Sequence, residues 1–391
     1  MESHKIYGKA ITSIGLCMFV ALAAFHLFVE LSGASKQGTI GRVSQARSAL
    51  ALITKEPEEL VFFFGSSMTR AGFSPRDFDR LLLLRDKQTK SFNFGFGGLN
   101  PYFQDLLSRR IVDEFVDKDR KLKLAMIEFN PFQTTSTRWR RAKPVVDSYT
   151  AMLSSNSELM NISLQDPSRG VRLLSTKYLR RNISAELVTT VFTQELFPSR
   201  PYTQLQEDDA VKKEQRRLQG LLEKQFDKEF PDYQNQQWSY AWRGAGPIKQ
   251  ERSEKTLDLL KQYYTVRHTD VLMQNDRLAR IHSADIEELN FEPLLIEHFI
   301  NIVKNFQKIS DNVEVLLLPK NSKWIKNTIG GEERLAEVIQ EIELATGVKI
   351  KNHQNLPEIT SDMYRDTTHL SRYHGDVAYT NYLIKEFAEK F

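Results

Sequence analysis

Residues 60–70 read Leu-Val-Phe-Phe-Phe-Gly-Ser-Ser-Met-Thr-Arg and carry the main evidence about the fold. The first five form an unbroken apolar run, which is typical of a strand buried on both faces of a parallel sheet. The run ends at Gly65, where the missing side chain permits a tight turn. A hydroxyl just beyond a central strand lies where open α/β sheets bind their ligands. The stretch therefore predicts a buried strand followed by a candidate reactive serine, Ser67.

A second polar stretch, Asp366-Thr-Thr-His369, lies near the C-terminus. A serine nucleophile needs a base to accept its proton, and the base needs an acid to orient it. Because one loop can supply both groups at this spacing, Ser67, His369 and Asp366 are predicted to form a catalytic triad. His374, five residues further on, is the only other histidine that we consider as the base.

Composition limits the class of protein. The chain has 391 residues, of which 41% are apolar and 27% charged, as expected for one large globular domain or two small ones. Its net charge of +4 is mild, and no basic stripe with interleaved aromatics indicates a nucleic-acid partner. Trp139 lies among Arg138, Arg140 and Arg141, and we expect this run on the solvated surface.

The N-terminal segment has a different character. Residues 10–29 carry no charge, and about 20 such residues can span a bilayer. Lys5 and Lys9 precede them, which favours an N-in orientation. We expect an uncleaved signal anchor over residues 1–34, although residues 32–34 (Ser-Gly-Ala) leave a removed signal peptide as the alternative. Both interpretations place the rest of the chain outside the cytoplasm.

Cysteine and histidine usage narrows the chemistry. The single cysteine, Cys17, lies inside the apolar segment, so the exported part has neither a disulfide nor a thiol nucleophile. The eight histidines are scattered and form no HExxH pair, so the sequence indicates no metal site. We expect no cofactor.

Strand and helix patterns alternate along residues 60–131. The predicted strands are 60–64, 91–94 and 123–129, and the predicted helices are 73–84 and 102–115. Such alternation predicts a parallel sheet with right-handed crossovers. Residues 35–59 form a linker and a lead-in helix, and residues 60–131 the first half of the core.

The alternation of strands and helices stops after residue 131 and returns at residue 291. Residues 132–290 are polar and helical by period, and we interpret them as an insertion that serves as a lid or a docking surface. Residues 291–391 restore the core pattern, with strands at 313–318 and 348–350 and helices at 291–306, 332–346 and 377–387. The predicted fold is α/β, with a five-stranded parallel sheet flanked by helices, a large mostly helical insertion and one N-terminal transmembrane helix.

Small or polar residues also follow the second and third predicted strands. Gly97 and Gly98 follow the second strand, and Asn130 follows the third. Acyl transfer needs hydrogen-bond donors around the developing oxyanion. The backbone N–H groups of Gly97 and Gly98 and the side-chain amide of Asn130 are therefore candidate donors to an oxyanion, although such residues are also common turn formers.

Together these stretches resemble the sequence blocks of the SGNH (GDSL-type) hydrolase superfamily. Its GDS block matches Gly65-Ser66-Ser67, with Ser66 in place of the acid. Its NxGxxG block matches residues 93–98, and its DxxH block matches residues 366–369. In the GxND block Asn130 matches, while Glu128 replaces the glycine and Pro131 the aspartate. The resemblance covers about residues 60–391 apart from the insertion. It implies a flavodoxin-like fold, Ser67 as nucleophile, and Gly98 and Asn130 at the oxyanion.

A narrower resemblance concerns one branch of that superfamily. The Gly-Ser-Ser turn, the N-terminal anchor and residues 319–324 (Pro-Lys-Asn-Ser-Lys-Trp) are similar to the membrane-anchored SGNH proteins of teichoic-acid D-alanylation, the DltD-like proteins. The SGNH proteins of alginate acetylation share this general plan. The likeness implies a membrane-bound O-acyltransferase as partner and an acylated cell-envelope glycopolymer as substrate.

Three functions are consistent with the sequence. The first is an extracytoplasmic, membrane-anchored acyltransferase or esterase that works through an acyl-enzyme. The second is a non-catalytic SGNH scaffold that binds polysaccharide, for example through the aromatic loop 238–242, or docks a membrane-bound O-acyltransferase. The third is a secreted lipase-type esterase. The sequence leaves open whether the first would transfer the acyl group or hydrolyse it.

Overall fold

The sheet of the computed structural model has five strands, and all neighbouring strands are parallel. The strands are β1 (Glu59–Gly65), β2 (Thr89–Gly95), β3 (Leu122–Phe129), β4 (Ser310–Leu317) and β5 (Ile350–Asn352). Their order is β2-β1-β3-β4-β5. Since β2 and β3 lie on opposite sides of β1, the chain changes direction at β1. Such a switch opens a crevice beyond the carboxyl ends of the strands.

The structure describes residues 2–31, 38–178, 209–229, 253–267, 287–371 and 374–391. The helices are α1 (Glu2–Leu31), α2 (Gly38–Ile53), α3 (Ser67–Gly72), α4 (Pro75–Leu83), α5 (Pro101–Asp117), α6 (Ser136–Leu153), α7 (Asn156–Gln165), α8 (Pro167–Tyr178), α9 (Asp209–Glu229), α10 (Glu254–Arg267), α11 (Pro293–Gln307), α12 (Ile329–Thr346) and α13 (Gly375–Phe387). The chain divides into two units, Met1–Ser44 with Lys143–Ser199, and Gln45–Ala142 with Arg200–Phe391. The second unit contains the whole sheet.

The core explains why residues 60–64 form a central strand. Successive strand side chains point to opposite faces, so Phe62 and Phe64 share one face and Phe63 lies on the other. Phe62 stacks on Phe94 at 4.4 Å between ring centroids, and Phe64 packs at 5.1 Å from Phe306 of α11. All are fully buried, and each such burial stabilises the fold by about 1.5–3 kcal/mol. The predicted α/β class and parallel five-stranded sheet are confirmed.

The segment after β1 differs from the prediction. The helix expected over residues 73–84 is present as α4 from Pro75, but an additional short helix, α3, begins at once at Ser67. Phe73 separates them in an extended conformation, with φ −123° and ψ 124°. Pro75 suits the first position of α4 because its missing N–H has no intrahelical partner there. With six residues, α3 is too short to show a helical period in the sequence. It forms because tertiary hydrogen bonds hold it.

The described part of the insertion is mostly helical. In the second unit, α9 and α10 pack through Leu218, Leu222, Leu259 and Leu260. The aromatic loop 238–242 lies outside the described residues. Trp139, which we expected on the solvated surface, is only 7% exposed and stacks on Tyr102 with ring centroids 5.5 Å apart. That expectation was wrong, because the arginines around Trp139 do not prevent its ring from packing inward.

Helix α1 is long and apolar enough to cross a membrane. Its window Tyr7–Ala24 has a mean hydropathy of 1.5, and none of it is buried inside the protein. A helix of 30 residues extends about 45 Å, compared with a bilayer hydrocarbon core of about 30 Å.

Candidate active site

The site is built from two turns of the second unit that meet beyond the carboxyl end of β1. Ser67 is the first residue of α3, directly after the strand. His369 lies in a loop that folds back on itself, because Arg365 N–H donates to the carbonyl of His369 at 2.9 Å and Ser371 N–H to that of Met363 at 2.8 Å. These bonds give the loop a defined shape.

The structure brings Ser67, His369 and Asp366 together. His369 Nε2 lies 2.8 Å from Ser67 Oγ, and His369 Nδ1 lies 2.9 Å from each carboxylate oxygen of Asp366. Since an ionised carboxylate only accepts hydrogen bonds, Nδ1 carries the hydrogen and Nε2 is free to accept from the serine hydroxyl. His369 is buried and Ser67 is half-buried.

The loop itself orients Asp366. Its Oδ1 accepts the backbone N–H groups of Thr368 at 2.9 Å and His369 at 2.8 Å. The carboxylate therefore faces the His369 ring before any substrate binds. His374 is exposed and stands at the N-cap of α13, and its ring makes no hydrogen bond to Ser67 in the described part of the chain.

The turn that carries Ser67 is held by a buried carboxylate on β3. Glu128 Oε2 accepts Ser66 N–H at 2.7 Å, Thr69 N–H at 3.1 Å and Thr69 Oγ1–H at 2.5 Å. Glu128 Oε1 accepts Ser66 Oγ–H at 2.6 Å. Ser66 Oγ in turn caps α3 by accepting Met68 N–H at 3.1 Å. The residues on both sides of Ser67 are thus bound to the neighbouring strand.

A second strand fixes the other end of α3. Asn93 of β2 donates through its amide to the carbonyls of Thr69 at 3.1 Å and Phe73 at 2.8 Å. Its Oδ1 accepts the Gly95 N–H at 3.0 Å, which fixes the direction of the amide. The short helix is therefore held between β2 and β3.

The two expected oxyanion residues differ in their surroundings. Gly98 lies on an exposed turn with φ +73°, a conformation that favours glycine, and its N–H has no acceptor within the described residues. Asn130 Nδ2 lies 3.0 Å from Ser66 Oγ and 2.8 Å from Glu128 Oε1. The Asn130 amide thus already donates to this turn and to Glu128, whereas the Ser67 N–H has no acceptor in the described chain.

Sequence reasoning missed the part played by Glu128 and Asn93. A signal for Glu128 was present, because a charge inside the apolar run 124–129 is unusual unless it has buried partners. Asn93 appeared only as a letter in the NxGxxG pattern, because its hydrogen bonds reach residues 20 and more positions away. Among the described residues, no group of three His, Cys, Asp or Glu side chains is placed to hold a metal ion.

No family model matches the chain, and no curated protein matches it. The function proposed below therefore rests on the geometry of the site and on the sequence resemblance.

Proposed function

We propose that the chain is a membrane-anchored serine esterase or acyltransferase of the SGNH type. The observation that carries the proposal is the hydrogen-bonded chain Ser67–His369–Asp366, whose first two members are 302 residues apart in sequence. A nucleophile, a base on its hydroxyl and an acid on the far side of the base are the three parts of a serine triad. The same geometry is what the flavodoxin-like SGNH fold would require.

The proposed reaction has two halves. Ser67 Oγ attacks the acyl carbonyl while His369 Nε2 takes its proton, and the tetrahedral intermediate then collapses to an acyl-serine as the leaving alcohol recovers that proton. A second hydroxyl attacks the acyl-serine and gives its proton to His369. The bond between the acyl group and Ser67 Oγ then breaks, His369 returns the proton to Oγ, and the acyl group leaves on the second hydroxyl's oxygen. Water in this role gives hydrolysis and a polymer hydroxyl gives transfer. Asp366 holds the imidazole in the required tautomer and stabilises the imidazolium.

The oxyanion would be bound first by backbone donors. The Ser67 and Gly98 N–H groups have no acceptor in the described chain, so both are available to a developing negative charge. The expected third donor, the amide of Asn130, stays a prediction. To serve the oxyanion, the amide would use the hydrogen that is not directed at Ser66 Oγ and Glu128 Oε1, because these two acceptors lie only 2.6 Å apart.

Substrate and location follow from the anchor and the resemblance. Helix α1 would hold the catalytic unit beside a membrane, outside the cytoplasm on either a periplasmic or an outer face. The sequence resemblance favours an acyl group on a cell-envelope glycopolymer, and a membrane-bound O-acyltransferase as the partner that handles the same acyl group.

Mass spectrometry of the full chain in detergent tests the proposal. After incubation with p-nitrophenyl acetate, we expect an acetyl adduct on Ser67 that is lost in Ser67→Ala. Ser74→Ala, which removes a half-buried hydroxyl bonded to Asp77, is the matched control and should keep the adduct. Labelling of Ser67→Ala by a fluorophosphonate probe at the native rate would contradict the nucleophile. A folded native chain that forms no adduct would favour the non-catalytic scaffold.

A further inference from the structure

Glu128 is a buried carboxylate without a cationic partner. It is 3% exposed, and in the described part of the chain it forms no ion pair with Lys, Arg or His. Buried carboxylates are rare unless a cation or several hydrogen bonds compensate the lost hydration. Here the compensation is entirely a set of hydrogen bonds, and all of them come from the Ser67 turn and Asn130.

The donor set requires a carboxylate. The Ser66 and Thr69 N–H groups face Oε2, and the Asn130 amide faces Oε1. The Asn130 amide cannot turn around without losing the Phe132 N–H, which its Oδ1 accepts at 3.0 Å. If glutamine replaced Glu128, its NH₂ would face the Ser66 and Thr69 N–H groups in one orientation and the Asn130 NH₂ in the other. Only a group with two acceptor oxygens satisfies all the partners.

These bonds set the direction of the serine. Of the N–H groups from residue 66 to residue 69, those of Ser66 and Thr69 go to Glu128 and that of Met68 goes to Ser66 Oγ. The N–H of Ser67 alone has no acceptor in the described chain, and it lies between Ser66 and Met68, whose N–H groups are both bonded. The carboxylate therefore immobilises the turn and leaves its one free donor beside the reactive hydroxyl.

We propose that Glu128 is the positioning residue of the nucleophile, a role that rests on the proposed function. The carboxylate holds the Ser67 turn so that Oγ points at His369 Nε2 and the Ser67 N–H at the oxyanion. Ser66 and Glu128 are two of the three positions at which the sequence departs from the GDS and GxND patterns, and Ser66 Oγ lies 2.6 Å from Glu128 Oε1. The acid missing from position 66 is thus supplied by the adjacent strand.

The first test compares two buried strand glutamates. Glu128→Gln should lower kcat for Ser67-dependent hydrolysis of p-nitrophenyl acetate by about 10²-fold, since misplacement of a reacting group by about 1 Å has effects of this size. KM should stay within about threefold, because the turn binds no part of so small an ester before the reaction. Glu314→Gln is the matched control, since Glu314 is a buried carboxylate of β4 held by Lys390 at 2.6 Å. It should lower the melting temperature and leave kcat unchanged.

The second test moves the carboxylate from position 128 to position 66. Residue 66 is the N-cap of α3, where an aspartate can accept the N–H groups of Met68 and Thr69. Ser66→Asp alone sets two carboxylates against each other, and Glu128→Gly alone leaves buried donors without an acceptor. Each single variant should therefore lose activity and stability. The double variant Ser66→Asp with Glu128→Gly should recover at least about tenfold in kcat over Glu128→Gly, a non-additivity typical of directly coupled residues.

The outcomes separate the two proposals. Native kcat in Glu128→Gln, or a double variant no better than Glu128→Gly, would overturn the role of Glu128 and leave the proposed function intact. A native chain without Ser67-dependent turnover would overturn the proposed function and this role with it. Should Glu128→Gln fail to fold, recovery in the double variant decides.

Discussion

At the scale of single residues, His369 depends on partners at both ring nitrogens. Its 2.8 Å contact to Ser67 and its 2.9 Å contacts to Asp366 are the links a general base needs. We predict that His369→Ala lowers the rate of Ser67 acylation by about 10²–10⁴-fold, the usual contribution of a positioned base. Stopped-flow measurement of p-nitrophenol release gives this rate.

His374→Ala is the control for that experiment. His374 is exposed and has no hydrogen bond to the serine in the described chain, so its removal should change the rate by less than about twofold. Equal losses in both variants would mean that His369 is not the specific base.

Some residues of the candidate site could be predicted from residue type and spacing, and others could not. A serine after a buried strand and an Asp-x-x-His loop could be predicted, because each is a local pattern with a chemical meaning. Glu128 could not, because the value of a strand carboxylate depends on which donors face it, and Ser66 lies 62 residues away. The same holds for Asn130, whose amide had a predicted target but whose actual acceptors depend on packing.

At the scale of elements, Gly65 lets β1 pass directly into α3 against β3. A Cβ at Gly65 would lie 2.6 Å from Glu128 Cβ, too close for any real side chain. We predict that Gly65→Ala lowers the free energy of unfolding by about 1–3 kcal/mol through overpacking. Urea unfolding followed by circular dichroism measures this change.

Gly220→Ala provides the opposite expectation. Gly220 lies in the middle of α9 with nothing within 4 Å of the position of a Cβ, so alanine should raise the free energy of unfolding by about 0.5–1 kcal/mol. If Gly65→Ala raised the free energy of unfolding as Gly220→Ala should, the close approach of Gly65 to Glu128 would not restrict residue 65 to glycine.

The junction of β5 and α13 should make stability depend on pH. Burial lowers the pKa of His353, and the nearby Lys351 acts in the same direction, while Glu386 opposes both. His353 Nδ1 is 2.8 Å from the Tyr379 hydroxyl, whose own pKa is raised by burial. Because the unfolded chain binds the proton more readily than the folded one, the free energy of unfolding should fall as pH drops below about 6.5.

A histidine-specific variant isolates this effect. His353→Asn keeps a polar atom near Tyr379 but does not titrate, so its loss of stability between pH 8 and pH 5 should be smaller than that of the native chain. His374→Ala, at an exposed position, should retain the native pH dependence. Identical pH profiles for the native chain and His353→Asn would contradict the prediction.

The elements themselves were predicted unevenly. Long periodic segments such as α5, α11 and α13 have their pattern in adjacent residues, so they could be predicted to within a few positions. Helix α3 could not, since six residues carry no period and the helix depends on Glu128 and Asn93 from two strands.

At the scale of the whole molecule, α1 is expected to place the catalytic unit outside the cytoplasm. We predict that a charged, membrane-impermeant fluorophosphonate labels Ser67 in intact cells that carry the full chain. Because lysis should expose no further copies, the labelling should not increase after it. Ser67→Ala in the same cells controls for other serines, and labelling that appears only after lysis would place the unit inside.

The fold class, the parallel sheet and the candidate triad could be predicted from the amino-acid sequence alone. These depend on apolar period, turn residues and chemical type, all of which are local. Three features required the tertiary structure: the hydrogen bonds of Glu128 to the Ser67 turn, those of the Asn130 amide to Ser66 and Glu128, and the burial of Trp139. Each of these outcomes depends on groups that meet in space from distant positions, and a buried polar group is satisfied or unsatisfied only by what surrounds it.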